Sequence, residues 1–253
     1  MDLGLQERVY VVTGGTRGLG RATADVLVAE GARVVVCSRD EAAVLAAVAD
    51  LGGPGRAAGH AGDLADTSTA SAVVAVALER FGRLDGALLS VGGPPPATAM
   101  AATDEQWLAA FETVFLGALR VATTVAAALT DGGSIAFVLS SSVRAPIAGL
   151  AASNGLRPGL AMLAKTLADE LGPRGVRVNG LLPGRIATDR LRELDEAGGD
   201  AERSRRDHEQ AIPLRRYGEP AELGRAAAFL LSPAASYLTG VMLPVDGGAL
   251  RVL

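Results

Sequence analysis

Short runs rich in Val, Leu, Ile and Ala recur along the chain, each followed by a longer segment in which apolar residues return at helical spacing. The short runs fall at 9–13, 33–38, 57–61, 85–90, 134–140, 176–182 and 241–245. Near-continuous apolar character is what a strand needs when both faces of its sheet are covered. The longer segments, chiefly 18–30, 41–51, 67–81, 104–130, 153–171 and 221–231, follow the period of amphipathic helices. Strands alternating with helices predict an α/β fold, a single domain over 1–253 with a doubly wound parallel sheet of about seven strands. One stretch breaks the pattern. Residues 188–212 are rich in Arg, Glu and Asp, carry few large apolar side chains and lie between a Pro-Gly turn and Pro213. We expect a substrate lid of one or two short helices there, because segments that open and close need little local burial. The alternative is a solvated helical pair with no gating role.

Composition narrows the setting. At 253 residues and 49% hydrophobic content, the chain can bury a core close to the upper limit for one domain. A net charge of −4 gives no broad cationic field, so neither nucleic acid nor an anionic membrane is expected as a partner. The opening residues lack the basic region, apolar stretch and cleavage site of a secretory signal, which predicts a cytoplasmic protein. Every long apolar run is interrupted by Gly, Pro or a charge before the roughly 20 residues of a membrane helix. Cys37 is the only cysteine, and neither His60 nor His208 has a partner at ligand spacing, so no internal disulfide and no metal centre is expected.

The first strand runs into Thr13-Gly14-Gly15-Thr16-Arg17-Gly18-Leu19-Gly20, and a helix follows at once. Glycines in such a turn let the backbone bend sharply, approach a pyrophosphate and pack the helix on the strand, while the helix N-terminus attracts the anion. The turn therefore predicts a dinucleotide site of the Rossmann type. At the end of the second strand, where a site for NAD usually offers a carboxylate, the chain has Ser38 and then Arg39. With Arg17 inside the turn, Arg39 can clamp a 2′-phosphate, since a guanidinium matches phosphate oxygens in pairs. The expected cofactor is thus NADP (NADPH). The bland alternative leaves Arg39 solvated and Asp40 capping the helix that starts at Glu41.

The spacing of Thr13, Gly14, Gly18 and Gly20 resembles that of the short-chain dehydrogenase/reductase family, and further motifs extend the resemblance over nearly the whole chain. Asp63-Leu64 is similar to the family's adenine contact. Ser140 resembles its catalytic Ser, and Pro183-Gly184, with Ile186 and Thr188 beyond, resembles the turn that holds the nicotinamide. The tail 213–220, followed by Tyr237-Leu238-Thr239-Gly240 and Val245-Asp246-Gly247-Gly248, is similar to the acyl-carrier-protein ketoreductase branch. The resemblance implies a homodimer or homotetramer built on the long helices and a small carbonyl or alcohol substrate. Its catalytic residues carry over incompletely. The Tyr and Lys that stand beyond the Ser in the family fall here on Ser153 and Arg157. The family's Asn-Asn-Ala-Gly is Leu89-Ser90-Val91-Gly92, leaving Ser90 and Gly92 as cofactor contacts, and its helix Asn falls near Val114 or Phe115.

A phenol near pKa 10 can be tuned toward neutrality, whereas an aliphatic hydroxyl is far less acidic, so Ser153 is a poor proton donor. Arg157 cannot lose its proton and is left to stabilise charge or grip an anion. Arg144, Arg157 and Arg185 all lie in segments expected near the carboxyl ends of the strands, which points to an anionic or polarised substrate. Three functions stay open: an NADPH-dependent oxidoreductase with Ser140, Ser153 and Arg157 as atypical catalytic residues and His208 or water as proton source; a non-redox cyclase, dehydratase or isomerase; and a dinucleotide-binding sensor.

Overall fold

Along a strand, successive side chains leave for opposite faces, and here both faces are apolar. In β1 (Val9–Thr13), Val9 and Val11 enter one core while Tyr10 and Val12 enter another. The computed structural model describes residues 2–130, 132–196 and 199–252. In it β2 (Arg33–Ser38), β3 (Ala57–Ala61), β4 (Gly86–Ser90), β5 (Gly133–Val138), β6 (Val176–Pro183) and β7 (Met242–Val245) join β1 in one parallel sheet, in the order β3-β2-β1-β4-β5-β6-β7.

Helices cover both faces, as the predicted doubly wound fold requires. On one side lie α1 (Gly18–Ala29), α2 (Glu41–Asp50) and α9 (Pro220–Leu231), burying Ala24, Leu27, Val44, Ala227 and Leu231 against Tyr10, Val12, Val34 and Val36. On the other lie α3 (Thr69–Phe81), α5 (Gly117–Ala128) and α6 (Ala151–Leu171), whose Val73, Val121, Val125, Leu160 and Leu167 pack on Val9, Val11, Val35 and Phe137. The strand order reverses between β1 and β4, and in such sheets the crevice at the carboxyl ends of the strands is where ligands bind.

Two elements differ from the sequence reading. The helix expected over 104–130 is divided: α4 (Asp104–Ala110) passes through a π-helical turn, Phe111–Leu116, into α5. The wider turn rephases the two halves; Val114 is buried in the core, and Phe115, the other residue near which the family's Asn was expected, packs against it. Asp104–Ala128 is long enough to cross a membrane, and an 18-residue window within it is apolar enough, with mean hydropathy 1.5. Val114, Ala118, Val121, Ala122 and Val125 on this stretch form part of the sheet's core. The strand expected to reach 140 ends at Val138, because Ser140 accepts a hydrogen bond from the Ser142 amide (3.0 Å) and starts a 3₁₀ turn, Ser141–Val143. The charged segment 188–212 holds two short helices, α7 (Asp189–Glu196) and α8 (Ala201–Ala211); residues 197–198 lie outside the described residues.

Candidate active site

The turn after β1 is built by close approach. Gly14 has φ +57°, and a Cβ there would stand 2.6 Å from the Ser90 carbonyl oxygen; one on Gly20 would stand 2.4 Å from the oxygen of Gly14. The Thr13 hydroxyl donates to the Ser90 carbonyl (3.0 Å) and accepts from the Ser90 amide (2.9 Å), so the turn is locked to the end of β4. No side chain caps α1, and its first turn has no acidic residue. Its free N–H groups open on the crevice beside Thr16, Gly18 and the partly buried Leu19, an arrangement that fits an anion such as a dinucleotide's pyrophosphate. Thr188, from the segment after β6, lies over Gly18, its Cγ2 3.9 Å from where a Cβ would stand.

Where the adenosine was expected, Gly15 N–H donates to the Cys37 carbonyl (3.4 Å), holding the turn against the end of β2. The next residues, Ser38 and Arg39, point the chain outward. Arg39 and Arg17 are both exposed, and neither guanidinium has an ion pair among the described residues. Asp40 does cap α2, accepting from the Ala43 amide at 3.0 Å, so its carboxylate is engaged away from a ribose or phosphate. Asp63 accepts from the Ala65 amide (2.9 Å), Leu64 packs on the core, and Arg120 of α5 donates to the Ala65 carbonyl (3.1 Å). The sequence reading missed Arg120; a lone Arg in an amphipathic helix gives no signal of that reach.

Where the nicotinamide was expected, Ser90 is fixed by Thr13 and Gly92 is exposed, with no atom of the described residues within 4 Å of a Cβ position. Pro183 closes β6, Gly184 N–H donates to the Val245 carbonyl (3.0 Å), and buried Ile186 bridges to Gly218. The Thr188 hydroxyl accepts from the Leu191 amide (3.3 Å) and so starts α7.

The residues at the family's catalytic positions meet at the carboxyl end of β5, but two of them turn inward. Ser140 is half-buried; since its oxygen accepts the Ser142 amide, its own O–H stays free to donate. Ser153 is buried, and its hydroxyl lies 3.3 Å from that of buried Ser142. Arg157 is 6% exposed and donates to the carbonyls of Val138 (2.9 Å) and Val91 (3.3 Å). Burial without a carboxylate partner lowers its pKa to about 10. Ser142 and Asn154 are further residues the sequence reading missed: the Asn154 side chain accepts from the Ile147 amide (3.0 Å) and donates to its carbonyl (2.8 Å), pinning the loop before α6.

None of the three tyrosines hydrogen-bonds to Ser140, Ser153 or Arg157. Tyr10 is buried in the sheet and donates to the Leu231 carbonyl, with its pKa raised by burial; Tyr237 is fully exposed in the tail. Tyr217 is buried and donates to Asp195 (3.0 Å). His208 has both ring nitrogens occupied, Nδ1 by the Ser204 carbonyl (2.6 Å) and Nε2 by Arg185. Arg185 also pairs with buried Asp195 at 2.8 Å and reaches the Tyr217 hydroxyl at 3.2 Å. Arg190 of α7 donates to the Pro94 carbonyl (2.8 Å), tying the α7–α8 segment to the loop after β4. Of the three arginines read from the sequence as possible substrate contacts, Arg144 alone is exposed and has no ion pair among the described residues.

The fold and these motifs have clear relatives. The family model described as enoyl-(acyl carrier protein) reductase matches residues 14–249. The chain is 36% identical over 248 residues to the short-chain reductase protein NovJ of Streptomyces niveus, spanning 96% of this chain and 94% of that one. It is 34% identical to levodione reductase of Leifsonia aquatica, over 96% and 94% of the two chains. Among solved structures, L-sorbose reductase from Gluconobacter frateurii, complexed with NADPH and L-sorbose, superposes over 100% of both chains with a TM-score of 0.92 and 31% identity. A short-chain oxidoreductase from Pseudomonas aeruginosa PAO1, described as containing an atypical catalytic center, matches over 100% of both chains with a TM-score of 0.90 and 30% identity. This chain belongs to the short-chain dehydrogenase/reductase family of oxidoreductases.

Proposed function

We propose that the protein is an NADPH-dependent oxidoreductase acting on a small carbonyl or alcohol substrate, with a catalytic site that lacks a phenol. The observation that carries this is the glycine turn at an uncapped α1 N-terminus, flanked by the unpaired guanidiniums of Arg17 and Arg39. The free helix N–H groups receive the pyrophosphate and the two arginines receive the 2′-phosphate. Solved relatives that bind or depend on NADPH support the same cofactor. NADPH, when bound, supplies the hydride.

The chain's own residues do the rest. Ser140 donates its free O–H to the substrate oxygen and stabilises the charge that develops there. Ser153 holds Ser142 in place behind it, and Arg157 braces the floor of the site. Both nitrogens of His208 are engaged in the α7–α8 segment, so the proton comes from water. Losing a side-chain acid removes roughly 10²–10⁴ in rate, and one well-aimed donor restores about 3–4 kcal/mol of stabilisation. The α7–α8 segment acts as a lid, and exposed Arg144 favours a polarised or anionic, acyl-type substrate. The reading includes a cytoplasmic setting and a homo-oligomer through the outer face of α4 and α6, where Leu108 and Met162 are 64% and 65% exposed.

One observation favours a second reading. With no phenol among the residues at the strand ends, a non-redox reaction or a sensor role would need no replacement for it. Nicotinamide absorbance during incubation with a panel of activated ketones separates the two. Net NADPH oxidation is expected, falling on the order of 10²–10³-fold in Ser140→Ala; tight binding without turnover on any ketone would overturn the redox reading.

A further inference from the structure

The ladder between β4 and β5 ends at the pair Ser90 and Val138. Beyond it the two chains part, one toward Gly92 and the other toward Ser140, and no strand pairing joins them. The Arg157 guanidinium takes over at that point, donating through Nη1 to the Val138 carbonyl (2.9 Å) and through Nη2 to the Val91 carbonyl (3.3 Å). We propose that Arg157 is a positioning residue that carries the β4–β5 pairing past its last rung, and so sets the Ser140 hydroxyl against the nicotinamide seat at Val91-Gly92.

Three features of the site support this. Arg157 is buried and has no carboxylate partner among the described residues, so its charge is held at a cost and satisfied only by neutral oxygens. Burial depresses its pKa to about 10, the cost of desolvating the guanidinium, which still leaves it cationic near neutral pH. A planar guanidinium reaches two carbonyls in fixed directions, which the compact ammonium of Lys does not. The helix carrying it is anchored by the same means. Pro158 has no N–H to give the Asn154 carbonyl, so the first turns of α6 are weaker by one rung, and side-chain ties from Asn154 to Ile147 and from Arg157 to β4 and β5 take the load. The replacement of Lys by Arg is thereby explained as geometry.

This inference rests on the nicotinamide assignment of the proposed function, so its test has arms that do not. Arg157→Lys and Arg157→Gln are compared with the wild-type protein for affinity toward adenosine 2′,5′-bisphosphate, which occupies only the Arg17 and Arg39 end, and for NADPH emission and kcat. Bisphosphate affinity is expected to stay within about twofold. With the seat misplaced by even an ångström, kcat is expected to fall on the order of 10²-fold, with an altered emission from bound NADPH and a smaller loss in Arg157→Lys. Unchanged kcat and emission in a folded variant would make Arg157 a stability element only, and a parallel loss of bisphosphate affinity would show general damage; either overturns the proposal. The wild-type protein supplies a third arm that needs no variant and no turnover. In ¹⁵N spectra the Arg157 Nη protons are expected to exchange slowly and rotation about Nε–Cζ to be hindered, and a freely rotating guanidinium would overturn the tie. If wild type fails to bind either nucleotide while its guanidinium is hindered, the cofactor assignment has failed and the tie has not.

Discussion

The two ends of the crevice use arginine in opposite ways. At the end of the crevice read as the adenosine site, Arg17 and Arg39 are exposed and unpaired among the described residues, beside the uncapped N-terminus of α1. At the end read as the nicotinamide site, exposed Arg144 apart, Arg157, Arg185 and Arg190 are each consumed by the protein itself, by the Val138 and Val91 carbonyls, by Asp195 and by the Pro94 carbonyl. A cation left free reads a ligand's charge; a cation bound to main-chain carbonyls fixes the chain that will hold the ligand. On the proposed function, selectivity for the nucleotide and the architecture of the reacting centre lie in separable sets of residues, and substitutions should affect one without the other.

The largest effect is expected where a spent cation loses its counter-charge. Asp195 is buried and accepts from Arg185, Ser204 and Tyr217. Asp195→Asn removes the buried charge that partly exposed Arg185 pairs with, a change worth about 3 kcal/mol. Because every 1.4 kcal/mol is tenfold, limited tryptic cleavage within 188–212 should accelerate on the order of 10²-fold, with the circular dichroism of the sheet and core helices retained. Unchanged cleavage would show that the α7–α8 segment is not held by this network. The next effect is at the free end. Removing one charge-assisted contact in Arg39→Ala, about 1.5–3 kcal/mol, should weaken NADPH roughly 10–100-fold and leave NADH unaltered. Equal losses for both nucleotides in a fluorescence titration would remove Arg39 from the 2′-phosphate site.

The same contrast explains what was legible in the sequence. Strand and helix positions, and the glycine turn, follow from periodicity and from residues whose conformations are restricted, so β1, β2 and β3 fall at their expected positions. The inward turn of Ser153 and Arg157 was not legible. Whether a hydroxyl faces a crevice or a neighbouring Ser142, and whether an Arg meets a ligand or two carbonyls, depends on partners 11, 19 and 66 residues away. The π turn at Phe111–Leu116 was hidden for a related reason, because an apolar helix keeps its composition when one turn widens. The Arg185, Asp195, Ser204, His208 and Tyr217 network likewise gathers residues that look in sequence like a solvated charged stretch.

The smallest effect is expected outside both ends. At the start of α9, Glu222 is partly exposed and its carboxyl is held down to about 2, chiefly by hydrogen bonds from Arg216. A carboxyl whose folded pKa is depressed adds stability that is present above its unfolded value and lost as pH falls through the folded one. Glu222→Gln should therefore lower Tm by only a few degrees at neutral pH, roughly what a surface ion pair gives, with the gap to wild type closing between about pH 4.5 and pH 2. A gap that widens on acidification would contradict that sign.

The separation of the two ends is tested most directly by one paired measurement: NADPH and NADH affinity together with kcat, for Arg39→Ala and Arg157→Lys side by side. Arg39→Ala is expected to lose the preference for NADPH while keeping kcat at saturating cofactor, and Arg157→Lys to keep the preference while losing kcat. If both variants lose preference and turnover in the same proportion, the arginines at the two ends do not have the separate roles assigned to them.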